Sequence, residues 1–218
     1  MKLASSALFL AALVIAPAVA AAQPGSPPPP PGYYGGQPRI PGGFHNRAGH
    51  LALGIGLGLG GMKSGDSSIA CENCDFNPLT GAFDFHIGGM LSPQLALLLE
   101  IQANGQTVRV EGNQYVEGEQ TLVQSALMGA AQYWVTPQLW LKGGLGFAHL
   151  EYSYSDYYGE AGSEPVADGT AVLLGAGYEL LSAPTFAIDL QGRFIIGNYD
   201  GLEDRITSGT IGVGFNWY

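Results

Sequence analysis

The chain has 218 residues and a formal net charge of −10, which argues against nucleic-acid binding, because that activity needs a basic face. Charged residues make up 12% of the chain, about half the usual share for a soluble domain. Such a composition, with 34 glycines, disfavours a soluble fold that must cover its whole surface with polar groups.

The first predicted element is a cleaved signal peptide, residues 1–22. Lys2 supplies the positive charge, an apolar stretch runs from Leu3 to Ile15, and Ala20-Ala21-Ala22 offers the small residues that signal peptidase recognises. The apolar stretch is too short for a membrane-spanning helix, and no run of about twenty apolar residues follows it. The sequence therefore predicts an exported chain without a transmembrane helix.

Residues 23–46 are rich in Pro, Gly and Tyr and include the run from Pro27 to Pro31. This composition predicts an extended linker of polyproline type on the periplasmic side rather than a packed domain. A PxxP ligand for another protein is the alternative interpretation. The third predicted domain, residues 47–218, begins where the composition changes.

The clearest strand signal follows this linker. Leu51, Leu53, Ile55, Leu57 and Leu59 alternate with alanine or glycine, and a period of two predicts a strand. The second face is small rather than polar, which is unusual for a soluble sheet. A narrow barrel accounts for both faces, because leucines then point to lipid and glycines leave room inside for other side chains.

Seven further segments show the same alternation. The eight predicted strands are Leu51–Gly60, Gly81–Leu91, Leu95–Ala103, Thr121–Trp134, Leu139–Leu150, Thr170–Leu181, Phe186–Ile196 and Ser208–Trp217.

The connections between these strands predict the topology. Three short ones each carry a proline (Pro93, Pro137 and Pro184), and they alternate with four long polar ones. Tight periplasmic turns alternating with long extracellular loops are typical of a transmembrane barrel. The predicted fold is all-β, an eight-stranded antiparallel up-and-down transmembrane β-barrel.

The Leu51–Gly60 strand, the three proline-bearing turns and the closing segment Gly212–Tyr218 resemble the small outer-membrane barrels of the OmpA/OmpX type. The resemblance covers about residues 51–218 and is architectural. It implies that the closing aromatic residue helps the barrel-assembly machinery to recognise the chain. Tyr218 fits by residue type but lies one position beyond the face shared by Phe215 and Trp217.

The inward face is predicted to hold a network of charged side chains. Centring each short turn on its proline places Glu179 opposite Asp189, Gln132 opposite Lys142 and His86 opposite Glu100. Adjacent carboxylates repel, so we expect one to bind a proton or a cation, with Lys142 and Arg193 as the available cations. The predicted network comprises Asp84, His86, Glu100, Lys142, Glu179, Asp189 and Arg193. A plug that fills the lumen is favoured over a narrow ion-conducting channel, because eight strands leave room only for side chains.

Cys71 and Cys74 lie in the first long connection. In an exported chain they predict a disulfide that holds the loop. A thioredoxin-like redox site lacks its helix here, and a zinc site lacks a nearby histidine. No metal site and no cofactor are predicted.

An enzyme is the main rival to a non-catalytic role. Barrel hydrolases that act on lipid A use a histidine and a serine on the lipid face near the outer rim, and His149 and Ser153 share a face by parity. The tight His-x-Ser pattern of the lipid A deacylases is missing. We therefore expect no enzymatic activity and no catalytic residue.

The long connections are acidic, and the third also carries alternating tyrosines. Tyrosine-rich loops make adaptable contacts, and carboxylates suit Ca²⁺ or Mg²⁺. The predicted partner or cation surface comprises Tyr152, Tyr154, Asp156, Tyr157, Tyr158, Glu160 and Glu164. We expect a structural or adhesin-like protein of the Gram-negative outer membrane. Its expected partners are outer-membrane lipid, the assembly machinery and an unidentified surface partner, with no nucleic acid.

Overall fold

The computed structural model describes residues 43–65, 67–68, 74–75, 79–111, 117–155 and 161–218, with side chains for 43–65, 79–107, 121–153 and 162–218. Within these residues the chain is all-β, as predicted from the alternation. Among them, no helix has the length and apolar character required to cross a membrane.

Eight long strands build the described part. In chain order they are β1 Leu51–Ser64, β2 Thr80–Ser92, β3 Leu95–Glu111, β4 Glu117–Trp134, β5 Leu139–Ser155, β6 Ala161–Ser182, β7 Phe186–Tyr199 and β8 Ile206–Trp217. Each strand pairs antiparallel with its sequence neighbours, and β8 pairs with β1. The sheet is therefore a closed ring, and the predicted fold class is confirmed. Two short segments, Ser67–Ser68 and Cys74–Asp75, pair with β1 and β3.

The three proline-bearing turns lie at one end of the ring, called the turn end below, and the four long connections lie at the other, called the loop end. Register shifts near the turn end, at Met90/Ser92 and Glu179/Leu181, mark bulges in β2 and β6. The second bulge lets Leu180 and Leu181 both point outward, although alternation had placed them on opposite faces.

Alternation decides which side chains fill the interior. On β1 the leucines point outward, whereas Gly54, Gly56, Gly58 and Gly60 point inward. A Cβ at Gly56 would collide with the Asp84 carboxylate and the Gln191 amide. Gly54 and Gly56 thus provide the space that polar side chains of other strands occupy, as the sequence indicated, whereas Gly58 and Gly60 permit close approach of the β8 backbone.

The strands differ in length by side of the ring. The adjacent strands β3 to β6 have 17, 18, 17 and 22 residues, whereas β1, β2, β7 and β8 have 14, 13, 14 and 12. The long connections predicted at 104–120 and 151–169 are therefore mostly strand. Alternation missed this extension because the outward positions there, such as Thr107 and Ser153, carry polar residues instead of the large apolar ones that mark the rest of each strand.

Candidate functional site

A cluster of charged side chains lies at the centre of the interior. Four strands contribute one charge each: Asp84 on β2, Glu100 on β3, Lys142 on β5 and Arg193 on β7. All four are buried, and inward alternation explains why they meet. The predicted network is thus placed on the inner face of the ring.

Glu100 is the acceptor that both cations share. Lys142 Nζ donates to Glu100 Oε2 at 2.9 Å, and Arg193 Nη1 donates to Oε1 at 2.6 Å. The second guanidinium nitrogen of Arg193 lies 2.6 Å from Asp84 Oδ1. A buried charge is tolerated only when it is paired and hydrogen-bonded, and this cluster satisfies that condition for two acids and two bases.

The three cross-strand pairs expected from the turns are all present. Glu179 pairs with Asp189, Gln132 with Lys142 and His86 with Glu100 in the register of the ladders. His86 Nδ1 lies 3.9 Å from Asp84 Oδ1, at the edge of the central cluster.

Glu179 and Asp189 are each bound by groups other than Lys142 and Arg193, the two cations expected here. Asp189 accepts hydrogen bonds from Trp140 Nε1 at 3.0 Å and Asn216 Nδ2 at 2.9 Å. Glu179 binds Arg47, with Nη1 to Oε1 at 2.8 Å and Nη2 to Oε2 at 3.1 Å. Lys142 and Arg193 are engaged elsewhere, so their expected role at this pair is corrected.

Arg47 belongs to a segment of residues 43–50 that lies across the turn end, called the strap below. His45 Nε2 lies 3.2 Å from the Ser182 carbonyl oxygen, and Gly49 N donates to Met90 O at 2.8 Å. Phe44 packs against the core. Phe44 and His45, which lie inside the predicted linker of residues 23–46, thus contact the barrel. A single arginine in a Gly- and Pro-rich stretch has no periodicity that would reveal its position.

Amide and hydroxyl side chains fill the interior between the ionic cluster and the loop end. Asn104 Nδ2 donates to Ser208 Oγ at 2.7 Å, and Ser208 Oγ donates to Gln124 Oε1 at 2.8 Å. Gln106 Oε1 accepts from Thr80 Oγ1 at 3.1 Å. Toward the loop end the inward positions become apolar, with buried Leu150, Leu173, Ile195, Tyr199 and Ile206. The described interior thus passes from an ionic cluster through amide and hydroxyl side chains to apolar ones toward the loop end.

The loop end is acidic where it is described. Exposed carboxylates include Glu164, Asp168, Asp200, Glu203 and Asp204. Tyr152 lies half-buried beside them, and burial raises the pKa of its hydroxyl above the usual value. The side chains of Tyr154, Asp156, Tyr157, Tyr158 and Glu160, and the predicted Cys71–Cys74 disulfide, lie outside the described residues. No group of three described His, Cys, Asp or Glu residues has the arrangement of a metal site.

Among the described residues, the long strand β6 has a ladder partner on one edge alone near the loop end. Its pairing with β7 begins at Gly169 opposite Tyr199, whereas its pairing with β5 continues to Ala161. Asp168 O accepts a hydrogen bond from Asp200 N at 2.9 Å. Residues 162–167 therefore have a described ladder partner on one side alone, and this segment carries Glu164 and Pro165.

His149 does not lie beside Ser153. The two residues are four positions apart along β5, which separates them by roughly 13 Å. Instead, the ladders place His149 between Ser125 on β4 and Asp168 on β6. His149 Nδ1 lies 2.6 Å from Asp168 Oδ1, and Ser125 Oγ donates to the His149 carbonyl oxygen at 3.3 Å rather than to the ring. His149 and Ser153 are therefore too far apart along the strand for the histidine–serine pair that the rival hydrolase would need.

No protein-family model matches the sequence, and neither does any curated protein. Solved structures do match. Ail, the attachment invasion locus protein of Yersinia pestis, solved in complex with the heparin analogue sucrose octasulfate, aligns with a TM-score of 0.53 at 15% identity, covering 78% of this chain and 99% of that chain. At this identity the likeness shows a shared fold.

Two other outer-membrane structures align less closely. Neisserial surface protein A gives a TM-score of 0.46 at 11% identity, covering 77% of this chain and 95% of that one. OprG from Pseudomonas aeruginosa gives 0.42 at 13% identity, covering 80% and 98%.

Proposed function

We propose that this chain, which has the fold of the small eight-stranded outer-membrane β-barrels, is an outer-membrane protein with a non-enzymatic, adhesin-like role. The observation that carries the proposal is the wall formed by β3 to β6. It continues beyond the belt, which is the band of exposed apolar side chains around the ring, and it ends in an acidic sheet edge. We call this segment of the four strands, residues 104–111, 117–126, 148–155 and 161–171, the wall.

The outward belt supports a membrane location. Its exposed side chains are mostly large and apolar, such as Leu57, Leu99, Leu145, Leu174 and Ile211. Tyr133, Tyr178 and Trp217 are exposed on the same surface near the turn end, where amphipathic rings suit a lipid headgroup region. The predicted signal peptide, residues 1–22, fits export to this location.

The lengths of β3 to β6 support the proposal that the wall extends beyond the membrane into water. A tilted strand crosses the apolar layer in about ten residues, whereas β6 has 22. On β5, Phe147 is the last large apolar side chain on the outer face before the loop end. The next outer-face residues toward the loop end are His149, Glu151 and Ser153. The remaining length of these strands is polar enough to lie in water.

The free edge of β6 supports a partner that binds as an extended strand. An unpaired edge offers backbone donors and acceptors that an added strand can satisfy. Glu164 lies on this segment and Asp168 directly follows it; both are exposed, and no described Lys or Arg lies within residues 162–168. We propose that the partner is an extended, basic polypeptide segment.

The experiment uses the purified chain in lipid nanodiscs and a fluorescent peptide of alternating lysine and threonine. We expect salt-sensitive binding that Glu164→Lys weakens about tenfold, since the substitution repels the peptide at the edge. Glu203→Lys is the matched control, because it makes the same charge change at the same end on the β7–β8 connection. Equal loss in both variants would show attraction to the overall field and would contradict an edge site.

The two rival functions have separate tests. For a lipid A hydrolase, the number of acyl chains on lipid A would fall in cells that produce the protein; we expect no change, because Ser125 does not donate to the His149 ring. For a channel, planar bilayers would show steady conductance steps; we expect none, because paired side chains fill the interior. Either positive result would replace the present proposal.

A further inference from the structure

The turn end holds a binding arrangement that neither the fold nor the surface role requires. The Arg47 side chain is 3% exposed in its ion pair with Glu179, whose side chain is 0% exposed. The two residues are 132 positions apart in the chain. A long charged side chain is almost never buried this completely unless its surroundings match it in shape and charge.

These surroundings match the two terminal nitrogens and the faces of a guanidinium group, while Arg47 Nε is buried without a hydrogen-bond partner. Glu179 accepts from both terminal nitrogens, and the Ala183 carbonyl oxygen accepts from Nη2 at 2.9 Å. The Tyr218 ring lies 3.8 Å from the guanidinium carbon, and the Trp134 ring centroid lies 5.8 Å from it. Two in-plane acceptors and two aromatic faces select a planar, delocalised cation over a compact ammonium.

The groups around this cation come from different parts of the ring. Trp134 ends β4, Glu179 lies on β6, and Tyr218 directly follows β8, while Arg47 lies four positions before the start of β1. Trp134 Nε1 donates to Glu179 Oε1 at 2.8 Å, so an indole donor on β4 also holds the carboxylate that binds the guanidinium. Since β1 and β8 form the closing pair of the ring, the contact between Arg47 and Tyr218 joins the residues that flank this seam.

We propose that the turn end is a guanidinium-binding site, built from Trp134, Glu179, Ala183 O and Tyr218, whose occupant is Arg47 of the same chain. Binding holds the strap across the turn end and links the residues on either side of the β1–β8 pair. Release of Arg47 frees residues 43–50 while the central ionic cluster, which shares no side chain with this site, keeps the ring closed. This inference is independent of the proposed surface role.

Trypsin provides a direct measurement, because it cleaves after Arg47 only when that side chain leaves its pocket. The folded full-length mature protein in detergent or nanodiscs is digested, and the product beginning at Ala48 is followed by mass spectrometry. We expect Glu179→Gln to raise the rate of this cleavage about tenfold or more, because protease cleavage follows the population of the open form. Arg47→Lys keeps a charge and a cleavage site but loses the planar fork, and it is also expected to be cleaved faster.

Glu164→Gln is the control, since it also removes one carboxylate but lies at the loop end and does not touch Arg47. It is expected to leave cleavage after Arg47 at the wild-type rate. Wild-type rates in both Glu179→Gln and Arg47→Lys would overturn the proposal, and so would an equal increase in Glu164→Gln.

Chemical rescue tests the ligand class without relying on cleavage. In Arg47→Ala the pocket is empty of its side chain, and millimolar methylguanidinium is expected to slow unfolding in urea, whereas methylammonium at the same concentration has no effect. Because the ligand binds the folded state alone, its stabilisation grows with its concentration. Equal responses to the two cations would show a nonspecific charge effect and would contradict the site.

Discussion

At the scale of single residues, burial of charge is the dominant feature of this molecule. Each buried acid has partners assembled from several strands, and each lies at a position whose inward direction alternation predicts. What alternation does not predict is which base meets which acid. Arg193 and Lys142 both bind Glu100, because their strands place these side chains at the same level of the interior. Glu179 instead binds Arg47, which lies outside the strands.

The first prediction concerns Glu100. Glu100→Gln leaves Lys142 and Arg193 with one fewer compensating charge in a buried site, and breaking such a pair typically costs about 3–5 kcal/mol. We expect a corresponding loss in the free energy of unfolding, measured by urea titration in detergent micelles with gel mobility of the heated and unheated protein. Glu164→Gln, at an exposed position, should change this free energy by less than about 0.5 kcal/mol.

At the scale of the strands, glycine has two distinct uses on β5. A Cβ at Gly146 would collide with backbone atoms of Leu127 on β4, whereas a Cβ at Gly143 meets nothing within 4 Å. Gly146 points inward and permits close approach of neighbouring backbones, while Gly143 points outward. The two positions are three residues apart and have the same residue type, so they form a matched pair.

We therefore expect Gly146→Ala to destabilise the barrel by about 1–3 kcal/mol, the usual cost of overpacking. Gly143→Ala should be neutral or stabilising by up to about 1 kcal/mol, because alanine restricts the unfolded chain. Urea unfolding of both variants in the same detergent measures the difference. Equal losses would show that the inward position is not sterically special.

The sequence predicted the strands wherever their two faces differ. Leu51–Gly60 and Phe186–Ile196 alternate strongly, and the turn centred on Pro184 predicted the register of Glu179 with Asp189 correctly. It did not predict the loop-end extensions of β3 to β6, because residues such as Thr107, Ser153 and Ser163 replace the large apolar side chains that mark the outer face of the rest of each strand. It also did not predict the strap, since Arg47 gains its significance from Glu179, a residue far away in the chain.

At the scale of the whole molecule, the boundary between belt and wall determines where charge is tolerated. Leu145 is 68% exposed on the belt, and Ser163 is exposed on the wall. In a lipid bilayer we expect Leu145→Arg to cost about 2–4 kcal/mol and Ser163→Arg about 0–1 kcal/mol. Folding into lipid vesicles with urea titration measures both values, and similar costs at the two positions would place Ser163 inside the apolar layer.

The one-sided wall also determines how many copies would act together. Each barrel is free to rotate about the membrane normal, so every molecule can turn its single edge toward the same approaching surface. Individually weak contacts then add through effective concentration. We therefore expect the strength of attachment to a partner surface to increase steeply with the number of molecules per unit area of membrane. The increase should be much steeper than the affinity of one contact suggests.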